Sequence, residues 1–388
     1  MTRIEKNNKL VCMSSTLSLL RLYCVAPDED AMFNPSIFFY FRFAIISILG
    51  SVPMIGSFTH MVHTIMSGEY NRVAGDITYI SSYLTSYIAV WAFIIKLNRV
   101  AEIHIFLADI ETFGKPQDFD RNNNNFNKYS KINYVFVEFM VWTSVSGSNI
   151  FQTKNCQEEN LKFNLTEVCG LATYTWLPFD IDYSPVKEIY LMFQIFGVHL
   201  LYVVCGFMAW QVFEITQHII IRMRDVKYVM FKALNQKDPL KRKNQLHFAI
   251  RYHNALFGLV DRVNEIFGPF MFTHMVVTSI IMGTGIYMFL HSNSLSSMFV
   301  FIGWLWGLCM VCFSGQRLQN ESSELAVAVY DLPWYDCDQE LKKDVLFVLH
   351  RCQEFQVLNA EAFGIMDNEM FLGVLKLTYS YITLLGNV

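Results

Sequence analysis

Apolar residues fall along this chain in blocks rather than in alternation. Seven segments, 37–62, 73–95, 132–152, 188–210, 266–290, 297–315 and 367–386, are dominated by Ile, Leu, Val, Phe and Met. Each is about twenty residues or a little more, the length at which one helix crosses a hydrocarbon core of ~30 Å. Backbone groups in lipid must be satisfied within the segment, so the blocks read as helices. No ten-residue alternating pattern argues for a barrel. The seventh block is the least regular, since it carries Lys376 and begins between Asp367 and Glu369. The pattern predicts an all-α polytopic membrane protein with seven transmembrane helices.

Composition agrees with that class: 53% of the residues are hydrophobic and only 16% charged, against about a quarter charged in soluble domains. The net charge of −4 says little, but its distribution sets a direction. Lys and Arg number 24 in the N-terminal arm and the 96–131, 211–265 and 316–366 segments, against 4 in the loops between them. Cytosolic loops carry the positive excess. The N-terminus is therefore expected in the cytosol and, after seven spans, the C-terminus outside. A G-protein-coupled receptor would have the opposite direction.

In the N-terminal arm, Leu10, Met13, Leu17, Leu20 and Cys24 share one helical face, which predicts a short amphipathic helix lying under the membrane. Arg21 and the Asp28-Glu29-Asp30 cluster follow without a signal-cleavage pattern. Two further apolar seams precede spans: Leu246, Ile250, His253, Phe257, Val260 and Phe267, then Leu341, Val345, Val348, Cys352 and Phe355. They predict helical extensions below the membrane that pack within one subunit or between subunits. His253 reads as a packed core histidine. Cys156 and Cys169 lie together in the long outer loop, where an oxidising environment permits a disulfide or two separate thiols. Asn164-Leu165-Thr166 is a glycosylation sequon on the outer side, while Asn320-Glu321-Ser322 falls on the cytosolic side.

No phosphate-binding loop, zinc-protease motif or nucleophile elbow is present, and Cys309 and Cys312 lack partner ligands. Glu138, His199 and His274 lie within spans and are functional candidates on that ground, although they read as isolated. Inverted repeats with broken helices, the mark of many transporters, are absent. No enzyme activity, cofactor, metal site or nucleic-acid partner is expected.

The C-terminal third is more specific. The stretch CFSGQRLQNESSELAVAVYDLPWYD, then RCQEFQVLNAEAF, then LKLTYSYITLL resembles insect odorant receptors. The resemblance is carried by Glu321 and Ser322, Tyr330 and Trp334, Arg351 and Gln353, and Tyr379 to Leu385. LPFDIDYSP before the fourth span also fits. An insect gustatory receptor is the nearest alternative. Thr378 and Tyr379 match the start of its terminal signature, but Gly386 and Asn387 stand where its Gln-Phe belongs. The shared odorant co-receptor carries a large insertion before the fifth span that this chain lacks, so the resemblance is to a ligand-specific tuning receptor.

That resemblance implies a ligand-gated, non-selective cation channel in the plasma membrane of olfactory neuron dendrites, a hetero-oligomer, expected to be a tetramer, with the odorant co-receptor. It implies four regions: a cytosolic arm with its amphipathic helix over 1–36, six spans with a ligand pocket over 37–315, a cytosolic helical anchor over 316–366, and a pore-lining span over 367–388. Small volatile apolar ligands would bind in the outer half of the bundle, between spans two, three, four and six. This points to Tyr79 and Tyr83, to Ser144, Gly147 and Phe151, to Met192 and Phe196, and to Phe301 and Trp304. Ser144, Gly147 and Phe151 share one face, with Gly147 leaving room for a ligand. In the last span Lys376, Thr378, Ser380 and Thr383 would face water, and Ile382 and Leu385 would form an apolar gate.

Overall fold

The computed structural model describes residues 12–28, 34–68, 73–163, 166–292 and 295–385. Its α-helices are α1 (Ser14–Leu22), α2 (Ile37–Ser67), α3 (Val73–Ile95), α4 (Leu97–Ala108) and α5 (Phe119–Phe163). They continue with α6 (Val186–Leu234), α7 (Pro239–Ser292), α8 (Leu295–Tyr330), α9 (Gln339–Cys352) and α10 (Asn368–Leu385). Apart from one bridge between Asn359 and Ile365 and two 3-10 turns, regular structure among the described residues is helical. Asn164 and the side chains of Phe151 and Leu385 lie outside the described residues.

The predicted spans map onto α2, α3, α5, α6, α7, α8 and α10. Five of these, α2, α3, α6, α7 and α8, are long and apolar enough to cross a membrane. Several run well past their apolar block. Helix α7 has 54 residues, about 80 Å at 1.5 Å per residue and more than twice the hydrocarbon core. The extensions are thus continuations of spans. Positions 211–234 of α6 contain neither Gly nor Pro to end the helix. Helix α7 begins at Pro239, where a missing N–H costs nothing, and Asp238 Oδ1 accepts from Leu240 N at 3.0 Å.

Helices α6 and α7 form the centre, each packed against α3 and α8. Helix α7 buries 72% of its apolar stretch but α2 only 17%, and α2 turns Phe38, Phe41 and Ile48 outward. Helix α1 departs from expectation. Its apolar face, with Met13, Leu17 and Leu20, is buried in the protein instead of lying along a bilayer, and α1 packs against α5 and α6. Polar bonds draw it in. The Thr16 hydroxyl donates to the buried Glu214 of α6 and lies 2.8 Å from Ser130 Oγ of α5.

The loop before α6 is fastened at three points. Cys156 and Cys169 are disulfide-bonded, with Cα atoms 5.7 Å apart. His60 of α2 lies between Asp76 Oδ2 at 2.8 Å and Glu167 Oε1 at 2.9 Å. Gln194 accepts from Ala172 N at 2.9 Å and donates to Thr175 Oγ1 at 2.8 Å. On the opposite side of the bundle, the strand-like return before α10 is held by Asn264, which donates to Val357 O at 2.8 Å and accepts from Asn359 N at 2.9 Å.

The two apolar seams are satisfied largely inside the chain. Leu246, His253, Phe257, Val260 and Phe267 are buried, as are Leu341, Val345, Val348 and Cys352. They meet where Cys352 Sγ lies 3.3 Å from His253 Nε2. Burial lowers the His253 pKa to about 4, so the ring is neutral and packed. What remains outward on and after α9 is a different face, Leu346, Phe347 and Phe355.

Candidate functional site

Among the described residues a cavity lies within the bundle, between α5, α6, α7 and α8, with a volume of ≈ 70 Å³. Helices α5, α6 and α8 each contribute a stripe at helical period, and α7 contributes His274. Helix α5 gives Asn133, Phe136, Val137, Met140 and Ser144; α6 gives Tyr202, Cys205, Gly206 and Ala209; α8 gives Phe299, Gly303, Trp306 and Met310. The spacing i, i+3/i+4, i+7 keeps one face of each helix on the space. Trp306, 40% exposed, stands at the mouth on the outer surface of the bundle. The lining is mainly apolar, so a ligand there is bound chiefly by burial, at ~25 cal/mol per Å². A volume this small admits a compact ligand unless side chains move.

Polar groups in the wall are few. Ser144 Oγ is 3.1 Å from Ser296 Oγ. The indole of Trp306 donates to Asn133 Oδ1 at 3.0 Å. His274, only 2% exposed, stacks between Phe270 and Trp304 at ring-centroid distances of 5.3 and 5.1 Å. Gly307 makes that position available, since a Cβ there would stand 3.0 Å from His274 Nε2.

Of the residues expected to bind ligand, Ser144 and Trp304 line this cavity. The others do not join them. Tyr79 and Tyr83 are buried on α3, behind Tyr202, whose ring lies 5.9 Å from that of Tyr83. Gly147 lies against α8, where a Cβ would come 3.4 Å from the Ser296 backbone nitrogen. It serves the close approach of α8 to α5. Met192 and Phe196 face outward, 69% and 43% exposed, on the apolar outer side of α6. Phe301 is half-buried and packs toward Gly285.

The α5 residues of the cavity lie well back along the helix from the disulfide. Ser144, its α5 residue nearest the outer loop, is separated from Cys156 by about 18 Å of helix. The lining also holds His274, a candidate from its place within a span, and Asn133, Tyr202, Trp210 and Trp306, whose sequence signal is helical stripes rich in aromatics.

Glu138 and His199, which read as isolated, are brought together. The Tyr23 hydroxyl donates to Glu138 Oε1 at 2.7 Å and lies 3.2 Å from His199 Nε2. A residue of the N-terminal arm thus closes a polar contact between α5 and α6 that span-by-span reading could not foresee.

The last helix separates its expected residues onto two sides. Lys376, Ser380 and Thr383 are exposed on one face with Tyr379. Thr378 is buried on the other, and Ile382 is half-buried. The hydroxyls of Thr378, Ser380 and Thr383 donate to Val374, Lys376 and Ser380 carbonyls at 2.9, 3.1 and 2.9 Å. Hydroxyls satisfied by their own helix do not require water, so the case for a watery face rests on Lys376. The buried side of α10 packs against α7, where a Cβ on Gly283 would stand 3.0 Å from Tyr381 Cβ. Helix α7 therefore touches the cavity through His274 and α10 through Gly283.

Known proteins resemble this chain in sequence and fold. The family model described as 7tm odorant receptor matches residues 70–379. A 158-residue stretch is 27% identical to the odorant receptor coreceptor of Aedes aegypti, covering 39% of this chain and 33% of that one. A 140-residue stretch is 27% identical to odorant receptor 85b of Drosophila melanogaster, covering 35% and 36%. The matches thus span about a third of the length of these curated relatives. The fold superposes on the insect olfactory receptor OR5 of Machilis hrabei, solved in complex with eugenol, with a TM-score of 0.78. That likeness covers 96% of this chain and 97% of the other at 13% identity.

Proposed function

This multi-pass membrane protein belongs to the 7tm odorant receptor family, and from that premise we propose that it is a ligand-specific subunit of an odorant-gated cation channel. The subunit works with an odorant co-receptor, expected as a tetramer, in the plasma membrane. The ligand is a small apolar molecule held in the cavity between α5, α6, α7 and α8. The pore is lined by the exposed face of α10, with Lys376, Ser380 and Thr383 toward the ions.

The observation that carries this reading is the double duty of α7. His274 lines the cavity, and about 13 Å further along the same helix Gly283 lies against Tyr381 of α10. A ligand wedged beside His274 displaces α7, and α10 moves with it. Packed cores switch between discrete arrangements rather than deforming continuously. Tuning-subunit identity is supported by the short cytosolic connection between α6 and α7. The exposed Leu346, Phe347 and Phe355 supply an apolar surface for a neighbouring subunit. The mouth at Trp306 opens between helices, so apolar ligands enter from the bilayer.

Whole-cell current is the test, with this chain expressed alone and with an insect odorant co-receptor, against a panel of small volatiles. The reading expects rapid cation current in co-expressing cells, to ligands the co-receptor alone ignores. Gly303→Leu fills the cavity, since only Met140 lies within 4 Å of a Cβ there, and should abolish those responses with surface expression retained. Current from this chain alone would favour a self-assembling channel of the gustatory type. Unchanged responses in Gly303→Leu would remove the cavity from the mechanism.

A further inference from the structure

Neither ring nitrogen of His274 has a hydrogen-bond partner among the described residues, although both are fully buried. Nδ2 of Asn133, in the same cavity wall, is likewise buried without a partner. An unpaired polar group in an apolar interior carries the desolvation cost of that group without the return of a hydrogen bond. The His274 ring stacks on Phe270 and on Trp304 and lies against Gly307. Packing therefore surrounds the ring while its hydrogen-bonding capacity stays unspent.

We propose that this cavity selects ligands bearing a hydroxyl group, an alcohol or phenol, which His274 binds while Trp304 and the surrounding apolar wall hold the body of the molecule. The inference rests on the reading of the cavity as the ligand site and adds the chemical class of its ligand. A neutral imidazole offers one donor and one acceptor, and no protein partner fixes which nitrogen of His274 carries the proton. A hydroxyl both donates and accepts, so it pairs with either nitrogen in either tautomer. A carbonyl or ether only accepts, and a hydrocarbon does neither and leaves the ring unpaired. A site built to bond a hydroxyl rejects the analogue lacking it much more strongly than an apolar pocket rejects an added hydroxyl.

The test uses an isosteric pair, 4-methylphenol and p-xylene, which exchange a hydroxyl for a methyl of similar size. They are applied at equal membrane concentration, so that partitioning from water does not enter the comparison. Binding is read on the purified full chain with its co-receptor by quenching of tryptophan fluorescence, referenced to the co-receptor alone. Trp210, Trp304 and Trp306 all stand in the cavity wall. We expect 4-methylphenol to bind on the order of tenfold more tightly. His274→Phe should collapse that ratio to near one while p-xylene binds as well or better, and His274→Gln should keep part of it.

A preference for the phenol that survives in His274→Phe would overturn the assignment of the hydroxyl to His274. Equal binding of the two probes to the wild type would overturn the ligand class. Gly303→Leu separates these results from failure of the site itself. If both probes bind it as they bind the wild type, the cavity is not where they sit, and the underlying reading fails instead.

Discussion

Glu321, nearly buried on α8, receives Lys227 Nζ of α6 at 2.6 Å. Arg224 Nε, one turn earlier, reaches the same carboxylate at 2.9 Å. The next residue, Ser322, accepts from Gln356 N at 2.9 Å. Two adjacent side chains therefore tie α8 to α6 on one side and to the segment leading into α10 on the other. The Glu-Ser pair that marks the family resemblance is a structural junction. Glu321→Ala should lower the melting temperature in detergent, at a cost of about 1–2 kcal/mol. Arg224 is exposed and re-solvates, so the loss is set mainly by Lys227. Ligand potency should be unchanged, and a shift in potency at constant stability would contradict the structural role.

Gly315 is the tightest point in that region. A Cβ there would overlap the carbonyl oxygen of Met366, which is backbone and cannot rotate away. Gly315→Ala should force α8 from the segment before α10 and reduce folded, surface-expressed protein severalfold, the usual consequence of overpacking by 1–3 kcal/mol or more. Gly258→Ala, where nothing lies within 4 Å, should be tolerated or slightly stabilising. Surface labelling of both variants checks the contrast, and equal expression would sink it.

The docking of α1 should depend on pH through Glu214. Burial pushes its carboxyl up from the ordinary 4.5 to about 7. Between those values the folded chain keeps a proton that the unfolded chain has lost, so this group's contribution to stability rises as pH falls. The buried His104 and His218 act in the opposite sense, since burial lowers their pKa values to about 4 and about 3. The measurement is therefore a difference. Thermal unfolding of wild type minus Glu214→Gln, from pH 7.5 to 5, should show relative stabilisation of the wild type toward acid. A flat difference would mean that Glu214 titrates normally.

Lys376 is the exposed charge on the α10 face read as the pore wall. Lys376→Gln removes a positive charge that repels divalent ions most strongly. It should raise calcium permeability relative to sodium, read as a positive shift of reversal potential under bi-ionic conditions. Thr378→Val, on the buried side, should leave the reversal potential in place.

Most of the fold was legible because lipid imposes a simple rule. Blocks such as 188–210 and 297–315 could only be helices, and the helices appeared around them. Their extensions past the apolar blocks were hinted at by the seams, although the partner of each seam was not. His253 and Cys352 are 99 residues apart, and no local pattern states that they meet. The site was harder to read. Ser144 and Trp304 line the cavity, whereas Met192 and Phe196, of the same apolar type, face outward. Periodicity assigns residues to a face and does not say which face looks inward. Gly147 is ambiguous for a related reason, since a missing side chain serves a ligand or a neighbouring helix equally well, and here the Ser296 backbone lies beside it.

The position of α1 carries a consequence for the order in which the protein is made. Thr16 contacts Ser130 and Glu214, 114 and 198 residues later in the chain. At about 5–20 residues per second, a ribosome needs roughly 10–40 s to supply the second partner. During that interval the apolar face of Met13, Leu17 and Leu20 has no protein to rest on, and the nearest apolar phase is the membrane. A segment made well before α5 and α6 is therefore among the last to reach its final place. Its arrival, through Tyr23 on Glu138, records that α5 and α6 have already come together.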